Sequence, residues 1–595
     1  MDPYQTETEE TTPPIRGWLE TWFPADEPWS RWTPAILLVV AILWTWPAVY
    51  SDGLLGWQPD AKGTIWLLGA APRLMGGLFD TQTGWPSGVH YGRPDSFVYM
   101  VIGWLFAWIP AIRLFNLLQV VGVFVSAWAA EGFARFMGAK APWSIIAGVS
   151  FACSGLAATS ILEGYSYHAF NPWLPLLAMA WYRALGPNCR IRDGVLTGVW
   201  FMLCVLTSAW IGLSAVVLVV GFSVRWFLGS KRTRRRRWRA LRSVGAALVT
   251  VAIPMGIYLW VFAQAGDART PNLAMISNMG QQVTLALIRL AGPGLGIDIA
   301  GHSQTHGALA TMWALVAVAP VMLRGERKWY VVFVTGLLGL ALSMVPRFPP
   351  TGGGEEGLLG LLMETLWSSL LRFPERLAWV WVLCGGVVAS MVATKLAEKR
   401  VRGLSVLWLF LFVDLFLVMR LPARQLNGVG GAPSAYDLSD GPVMDLYAED
   451  MSLVPGWILR TTNLSCYYQT FHERPIADDC LFTPGRTSPR VELARKIAQS
   501  LLRGEAGLVS QRLAQLGFTS LVVHPDPMNA GDRSRIEESL RQMDPNLVET
   551  ADGGEHVYAV AIPAITGTNP REVWGDGTAW ADGEAWTTYR DGGSP

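Results

Sequence analysis

The stretch FNLLQVVGVFVSAWAAEGFARFMGAKAPWSIIAGVSFACSGLAATSILEGYSYHAFNPWLPLLAMAWYRAL, residues 115–185, decides the fold. It holds three apolar runs, 115–134, 143–161 and 169–185, separated by one turn with Arg135 and Lys140 and another with Glu163 and His168. Each run approaches the roughly 20 residues a helix needs to cross the hydrocarbon core of a bilayer. No water is present there to satisfy backbone N–H and C=O groups, so a crossing chain is helical or a closed barrel, and runs of this length fit helices. The pattern extends outward to 34–50 on one side and to 194–207, 209–228, 243–263, 307–323, 329–345, 377–394 and 404–419 on the other. Composition agrees: 51% of the 595 residues are hydrophobic and only 16% are charged, a balance foreign to a soluble chain of this length. The 30 tryptophans suit a chain with two membrane interfaces, where an indole can keep one edge wet. The expected fold is an α-helical polytopic membrane protein with about 11 to 13 transmembrane helices.

One further apolar run, 97–112, upsets the parity. If it spans, the loop with Arg183, Arg190 and Arg192 and the basic run Lys231–Arg242 fall on opposite sides. If it dips in and returns, or lies on the surface, Arg135 with Lys140, the Arg183 loop, the basic run, Arg324 with Arg327 and Lys328, and Lys395–Arg402 share one face. The positive-inside rule selects the second arrangement. The N-terminal segment 1–33 and the basic loops are then cytoplasmic, in an inner (plasma) membrane. The long loop 51–114, the segments 162–168, 264–306 and 346–376, and everything after 420 face outside. The run KRTRRRRWRALR, beside two apolar segments, reads as a topogenic anchor against anionic headgroups rather than a nucleic-acid site. The first thirty residues carry no basic start, apolar run and small-residue cleavage site, so 34–50 is expected to stay in the mature protein.

After residue 420 the pattern changes to that of a small C-terminal α/β soluble domain, 421–563. Helical periodicity marks 490–502, 507–516 and 532–543, and strands are read at FTSLVVH (518–524) and HVYAVAIP. The tail 564–595, rich in Gly, Asp, Thr and Trp, is expected to be disordered. Cys153, Cys204, Cys384 and Cys189 read as small buried hydrophobes. Cys466 and Cys480 are the two cysteines of the soluble domain, and a disulfide between them fits an oxidising compartment.

The first outer loop carries Asp52, Asp60, Asp80, Asp95 and His90, and the turn LEGYSYHAFNPWLP carries Glu163 and His168. Ionisable groups at a membrane boundary are costly unless used or solvated. Carboxylates there serve as a general base or as ligands for a hard cation, or cap and solvate loop ends. Arg372 and Arg376 flank Phe373-Pro374-Glu375; their guanidinium forks suit a lipid phosphate, and a pair with Glu375 or snorkelling is the alternative. His302 and His306 stand i, i+4 and read as part of a solvated loop rather than as a zinc site. Glu355 and Glu356 follow a Gly-rich turn and read as a solvated loop. Asn463-Leu-Ser465 matches a glycosylation sequon by chance. Tyr468, His472 and Arg474 either pack or line a surface for an acceptor sugar.

The stretches QPDAKGTIWLL, LFDTQTGWPSG, LEGYSYHAFNPWLPLL, TSAWIGLS, LRFPERLAW and YYQTFHERPIADDC together resemble the bacterial members of the GT-C superfamily, multi-span glycosyltransferases that use a polyprenyl-phosphate-linked sugar. The resemblance implies that an acidic residue of the first outer loop acts as base or orients the acceptor. Asp60 is the matching position and Asp52 the second, with Glu163 and His168 in the place of a second acidic or metal-ligating loop. It further implies phosphate binding by Arg372 and Arg376, with His90 beside the substrate. No Asp-x-Asp stands in the first loop, so no cofactor is required by the pattern and a divalent metal stays open. The partners implied are the lipid-linked sugar, a glycan, lipid or protein acceptor, and membrane lipid, with no nucleic acid. Two other classes fit a many-span chain: a lipid or polysaccharide transporter, against which stands the scarcity of ionisable residues within the spans, Asp414 being the clearest, and an inactive GT-C-like envelope scaffold.

Overall fold

The computed structural model describes residues 28–46, 54–55, 59–76, 79–87, 89–90, 97–162, 164, 166–186, 188–228, 234–264, 310–343, 374–401, 403–419, 426–427, 432–438, 440–447, 458–477, 489–526, 528–552, 555–575, 577 and 579–580. The membrane unit is helical. Its centre is Ala378–Glu398, buried along its whole apolar length from Ala378 to Thr394 and packed against Ala310–Met322, Arg327–Ser343 and Ile145–Ala152. Among the described residues three helices are long and apolar enough to cross a membrane: Ala111–Met137, Trp238–Ile257 and Ala378–Glu398. The expected 11 to 13 full-length spans are not reached by length alone. Thr33–Trp44 has 12 residues, and the run expected at 143–161 is broken into Ile145–Ala152 and Gly155–Leu162. The break has a cause: the Ser154 hydroxyl accepts the Ala157 N–H at 3.2 Å, starting a new helix inside an apolar run.

The run at 97–112 forms a helix only over Phe97–Leu105, nine residues, and the chain then turns at Pro110 into Ala111–Met137. Nine residues rise roughly 13 Å, less than half of a bilayer core. Tyr99 and Met100 on this helix are buried, while Trp104, Leu105, Phe106 and Trp108 are exposed. The basic loops gather at one end of the unit. The Arg183 guanidinium lies 4.8 Å over the Phe136 ring, Lys140 pairs with Glu398 at 2.9 Å and Lys395 with Glu326 at 2.9 Å, and Arg190 shares a cavity with Arg239 and Arg242.

The C-terminal domain is built on a four-stranded mixed sheet. Val443–Tyr447 runs parallel to Ser520–His524, which pairs antiparallel with Glu555–Ala561, and that in turn with Val548–Asp552. One face carries Met444, Leu446, Leu521, Val523, Tyr558 and Val560 against helices Pro489–Leu502, Ala506–Gln515 and Ala530–Met543. The other face carries Val443, Val522, Val557 and Ala559 against the helix Ile458–His472. Two of the four strands and this helix were not anticipated from the sequence.

The region 51–114, expected as a long loop, is largely structured. It holds the helix Pro59–Leu74, seated on Ile458–His472, and the helix Phe97–Leu105. Part of the segment 564–595, expected to be disordered, is structured. Asn569 caps a short helix Pro570–Trp574 by accepting the Arg571 N–H, and Trp574 stacks on Trp580 at 6.3 Å with both rings buried. Cys153, Cys189, Cys204 and Cys384 are buried and form no disulfide. Cys466 is disulfide-bonded, and its expected partner Cys480 lies outside the described residues, as do His302, His306, Glu355, Glu356 and Asp95.

Candidate functional site

The helix Pro59–Leu74 begins with proline, whose fixed φ and missing N–H suit the first helical position. Asp60 is therefore in its first turn; its side chain lies outside the described residues. The next residue, Ala61, meets the turn after Leu162. Gly164 has φ +85°, and a Cβ there would fall 2.0 Å from the Ala61 nitrogen. Thr64 completes the contact by donating its hydroxyl to the Gly164 carbonyl at 3.3 Å. Two stretches a hundred residues apart thus touch backbone to backbone, with Asp60 and Glu163 each one residue N-terminal to the contact. The Glu163 side chain is itself outside the described residues.

The same turn continues into the short helix Ser166–Ala169, where His168 is buried. The Ser126 hydroxyl fixes it from Ala111–Met137, donating to the Ala169 carbonyl at 2.9 Å and accepting the Asn171 N–H at 2.8 Å. His168 Nε2 is 2.9 Å from the Ser208 hydroxyl. Ser208 is the single extended residue between Ile191–Thr207 and Ala209–Leu228, and its hydroxyl also accepts the Trp210 N–H at 3.2 Å. Arg376, half-buried in the turn Pro374–Leu377, places its guanidinium 5.4 Å over the Trp210 ring. Burial first, and the Arg376 charge second, hold the His168 imidazole well below its ordinary value, so it is neutral.

Sequence-derived residues therefore divide. Asp60 and Glu163 each precede one contact in sequence, and His168, on the turn that follows it, is linked through Ser208 and Trp210 to Arg376 of the turn Pro374–Leu377. Asp52 and Arg372 lie outside the described residues; His90 is described by its backbone alone, paired with Phe79. Asp80 is not available as a base. It is buried, pairs with Arg73 at 3.3 Å, and accepts from the Gln82 N–H and the Thr83 hydroxyl. Lys62, Ser208 and Trp210 had not been singled out, although Ser208 and Trp210 sit in TSAWIGLS. The detectable signal was a small polar residue interrupting an apolar stretch of more than thirty residues. Lys62 lies in the first helical turn, adding its charge to the positive end of the helix dipole, with its ammonium 5.4 Å from the Tyr467 ring.

A second polar cluster stands behind the helix. Gln469 accepts the Trp66 indole N–H at 2.6 Å and donates to the carbonyls of Gln82 and Arg474 at 2.7 and 3.2 Å. Tyr436 donates to Asp445 at 2.7 Å and lies 3.1 Å from His524 Nε2, while Ser465 donates to the other Asp445 oxygen at 2.8 Å. Tyr468 stacks on His524, and Tyr436 on His472. Tyr468 and His472 are thus packing residues, and Arg474 binds the Tyr436 carbonyl. Among the described residues no group of three or more His, Cys, Asp or Glu is gathered to hold a metal.

No family model and no curated protein matches this sequence. Solved structures do. The arabinofuranosyltransferase AftD from Mycobacteria matches with a TM-score of 0.57 at 16% identity, over 90% of this chain and 40% of that one. Two classes of a point mutant of the same protein match at TM-scores of 0.56 and 0.51, with 16% and 17% identity, over 90% of this chain and 42% and 41% of theirs. This chain thus spans about two fifths of the length of that arabinofuranosyltransferase. The likeness covers membrane unit and α/β domain together, and over 90% of its length the chain shares the fold of that arabinofuranosyltransferase.

Proposed function

We propose that this protein transfers a sugar from a polyprenyl-phosphate donor to an acceptor hydroxyl at the outer face of the membrane. The observation that supports the reading is the seating of Ala61 on Gly164, the residues that follow Asp60 and Glu163 in sequence, on a stretch that runs on to His168, whose Ser208 partner adjoins the Trp210 ring under Arg376. The acceptor hydroxyl attacks the anomeric carbon while its proton passes to the Asp60 carboxylate. The bond from that carbon to the phosphate oxygen breaks, and the phosphate leaves with the electron pair. Arg376 with Arg372 binds the phosphate oxygens, the guanidinium fork allowing two parallel hydrogen bonds. The helix N-terminus and Lys62 add positive potential where negative charge builds on the leaving group. Neutral His168 positions Ser208 and the Trp210 turn under Arg376 without adding a competing charge.

Three features support the outer face: the α/β domain clusters with Leu114, Phe115 and Leu118 at the start of Ala111–Met137 while Arg135 stands at its other end, Cys466 is disulfide-bonded, and the positive-inside rule puts the basic loops in the cytoplasm. The test is transfer of labelled sugar from a synthetic polyprenyl-phosphate donor by membranes carrying the protein. Asp60→Asn is expected to lower the rate by at least about 100-fold, and Arg376→Ala to raise the donor KM. Full transfer by Asp60→Asn membranes would remove the base from this scheme, and no transfer by the wild type with any such donor would favour the scaffold reading.

A further inference from the structure

At the basic end of the membrane unit, the helices Ile191–Thr207 and Arg234–Gln264 enclose an open cavity of about 500 Å³ lined by Asn188, Cys189, Arg190, Ile191, Arg239 and Arg242. Its walls are fixed. A Cβ on Gly194 would fall 1.9 Å from the Ser243 carbonyl oxygen, so the two backbones touch, and the Ser243 hydroxyl donates to the Arg190 carbonyl at 3.1 Å. None of the described lining residues is acidic. The nearest carboxylate in sequence, Asp193, is engaged in capping, since it accepts the Arg190 backbone N–H at 2.8 Å. Three arginines among the lining residues of a cavity of this size suit an anion, because each guanidinium fork can give two parallel hydrogen bonds to phosphate oxygens.

The surroundings identify the kind of anion. From the cavity both helices run on with outward apolar stripes: Ile191, Val195 and Val199 at four-residue spacing on one, and Leu241, Leu248, Val249 and Ile253 on the other, all exposed. Trp238, 55% exposed, stands at the level of the arginines, where an indole suits the headgroup layer. A free phosphate would have no use for these walls. We propose that the cavity is a binding site for an anionic phospholipid of the adjoining leaflet, its phosphate held by Arg190, Arg239 and Arg242 and its acyl chains along the apolar stripes.

The test uses the full-length chain reconstituted in mixed phosphatidylglycerol and phosphatidylcholine vesicles, re-extracted, and examined for retained lipid by native mass spectrometry. The wild type is expected to retain phosphatidylglycerol in preference to phosphatidylcholine by at least about tenfold. The triple variant Arg190→Gln/Arg239→Gln/Arg242→Gln loses that preference, whereas Arg324→Gln/Arg400→Gln, in the other basic loops, keeps it. Elution as a single species and an unchanged melting temperature report that the triple variant is folded. Equal retention by wild type and triple variant overturns the site, and equal loss in the Arg324/Arg400 control reduces it to diffuse surface charge, which overturns it as well. Displacement of the lipid by millimolar inorganic phosphate or glycerol 1-phosphate would make it a site for a soluble anion and not for a lipid.

Discussion

Gly164 is where a single residue decides the geometry of the site. Its positive φ and the 2.0 Å gap from a built Cβ to the Ala61 nitrogen mean that any side chain both strains the backbone and drives apart the Asp60 helix and the His168 turn. Gly164→Ala is expected to cost about 2–5 kcal/mol and to abolish sugar transfer, read by melting temperature and by the donor assay; an active, equally stable variant would sink the proposed convergence. In the α/β domain the informative residues are ionisable. Burial, helped by Arg474 and Lys62 respectively, draws the imidazoles of His472 and His524 down to about 3. The folded protein then binds fewer protons than the unfolded chain from about pH 3 to 6.5, so their contribution is present at neutral pH and is lost as pH falls. Asp445, raised to about 6 by burial against the hydrogen bonds from Tyr436 and Ser465, has the opposite sign between about pH 4 and 6. Two imidazoles against one carboxylate leave a net loss on acidification. Melting temperature should fall from pH 7 to pH 5, and fall less in His524→Phe. At roughly 2–4 °C per kcal/mol the difference is measurable, and an identical fall in both proteins would contradict it.

The helix Pro59–Leu74 is an element held on two sides, by Gly164 in the membrane unit and by Gln469 in the domain. Gln469→Ala leaves the Trp66 indole N–H and the Gln82 carbonyl without this partner, a loss of about 1–3 kcal/mol, and should loosen the helix enough to raise tryptic cleavage after Arg73. Unchanged cleavage would mean that packing alone holds it. The sequence marked this stretch as a candidate site, through its aspartates, but not as a helix: its mixed composition, AKGTIWLLGAAPRL, reads as neither a span nor a clean amphipathic face. Charge parity reads the run 97–112 as non-spanning, and the helix Phe97–Leu105, at nine residues, is short for a span. A direct check follows, because Cys153, Cys189, Cys204 and Cys384 are buried. Ser87→Cys and Pro110→Cys, flanking this helix, should both react with a membrane-impermeant maleimide from the same side of sealed vesicles; labelling from opposite sides would make 97–112 a span after all.

At the scale of the whole molecule, the polytopic helical character was readable because lipid forces long apolar runs, while the relation between its two parts was not. Nothing in 421–563 announces that one sheet face is turned toward the membrane unit, since Val443, Val522, Val557 and Ala559 look like any core strand residues. In the folded chain they belong to one hydrophobic cluster with Ile65, Trp66, Leu68, Tyr99, Phe115 and Tyr467. The domain is therefore part of the core that positions the Asp60 helix, and not an appendage. Strand pairing of Leu54–Leu55 with Leu426–Asn427 ties the two parts at a second place. The same geometry accounts for the unread elements: Ile458–His472 has apolar residues on two sides because it is covered on two sides, which erases the one-sided periodicity that marks a surface helix. A chain truncated after Arg420 should consequently lose sugar transfer even though every proposed catalytic residue is retained, and its segment 59–90 should become protease-sensitive while Ala378–Glu398, buried within the membrane unit, stays protected. If the truncated protein kept full transfer and the same cleavage pattern, the shared cluster would be dispensable and the α/β domain would serve some purpose apart from the site.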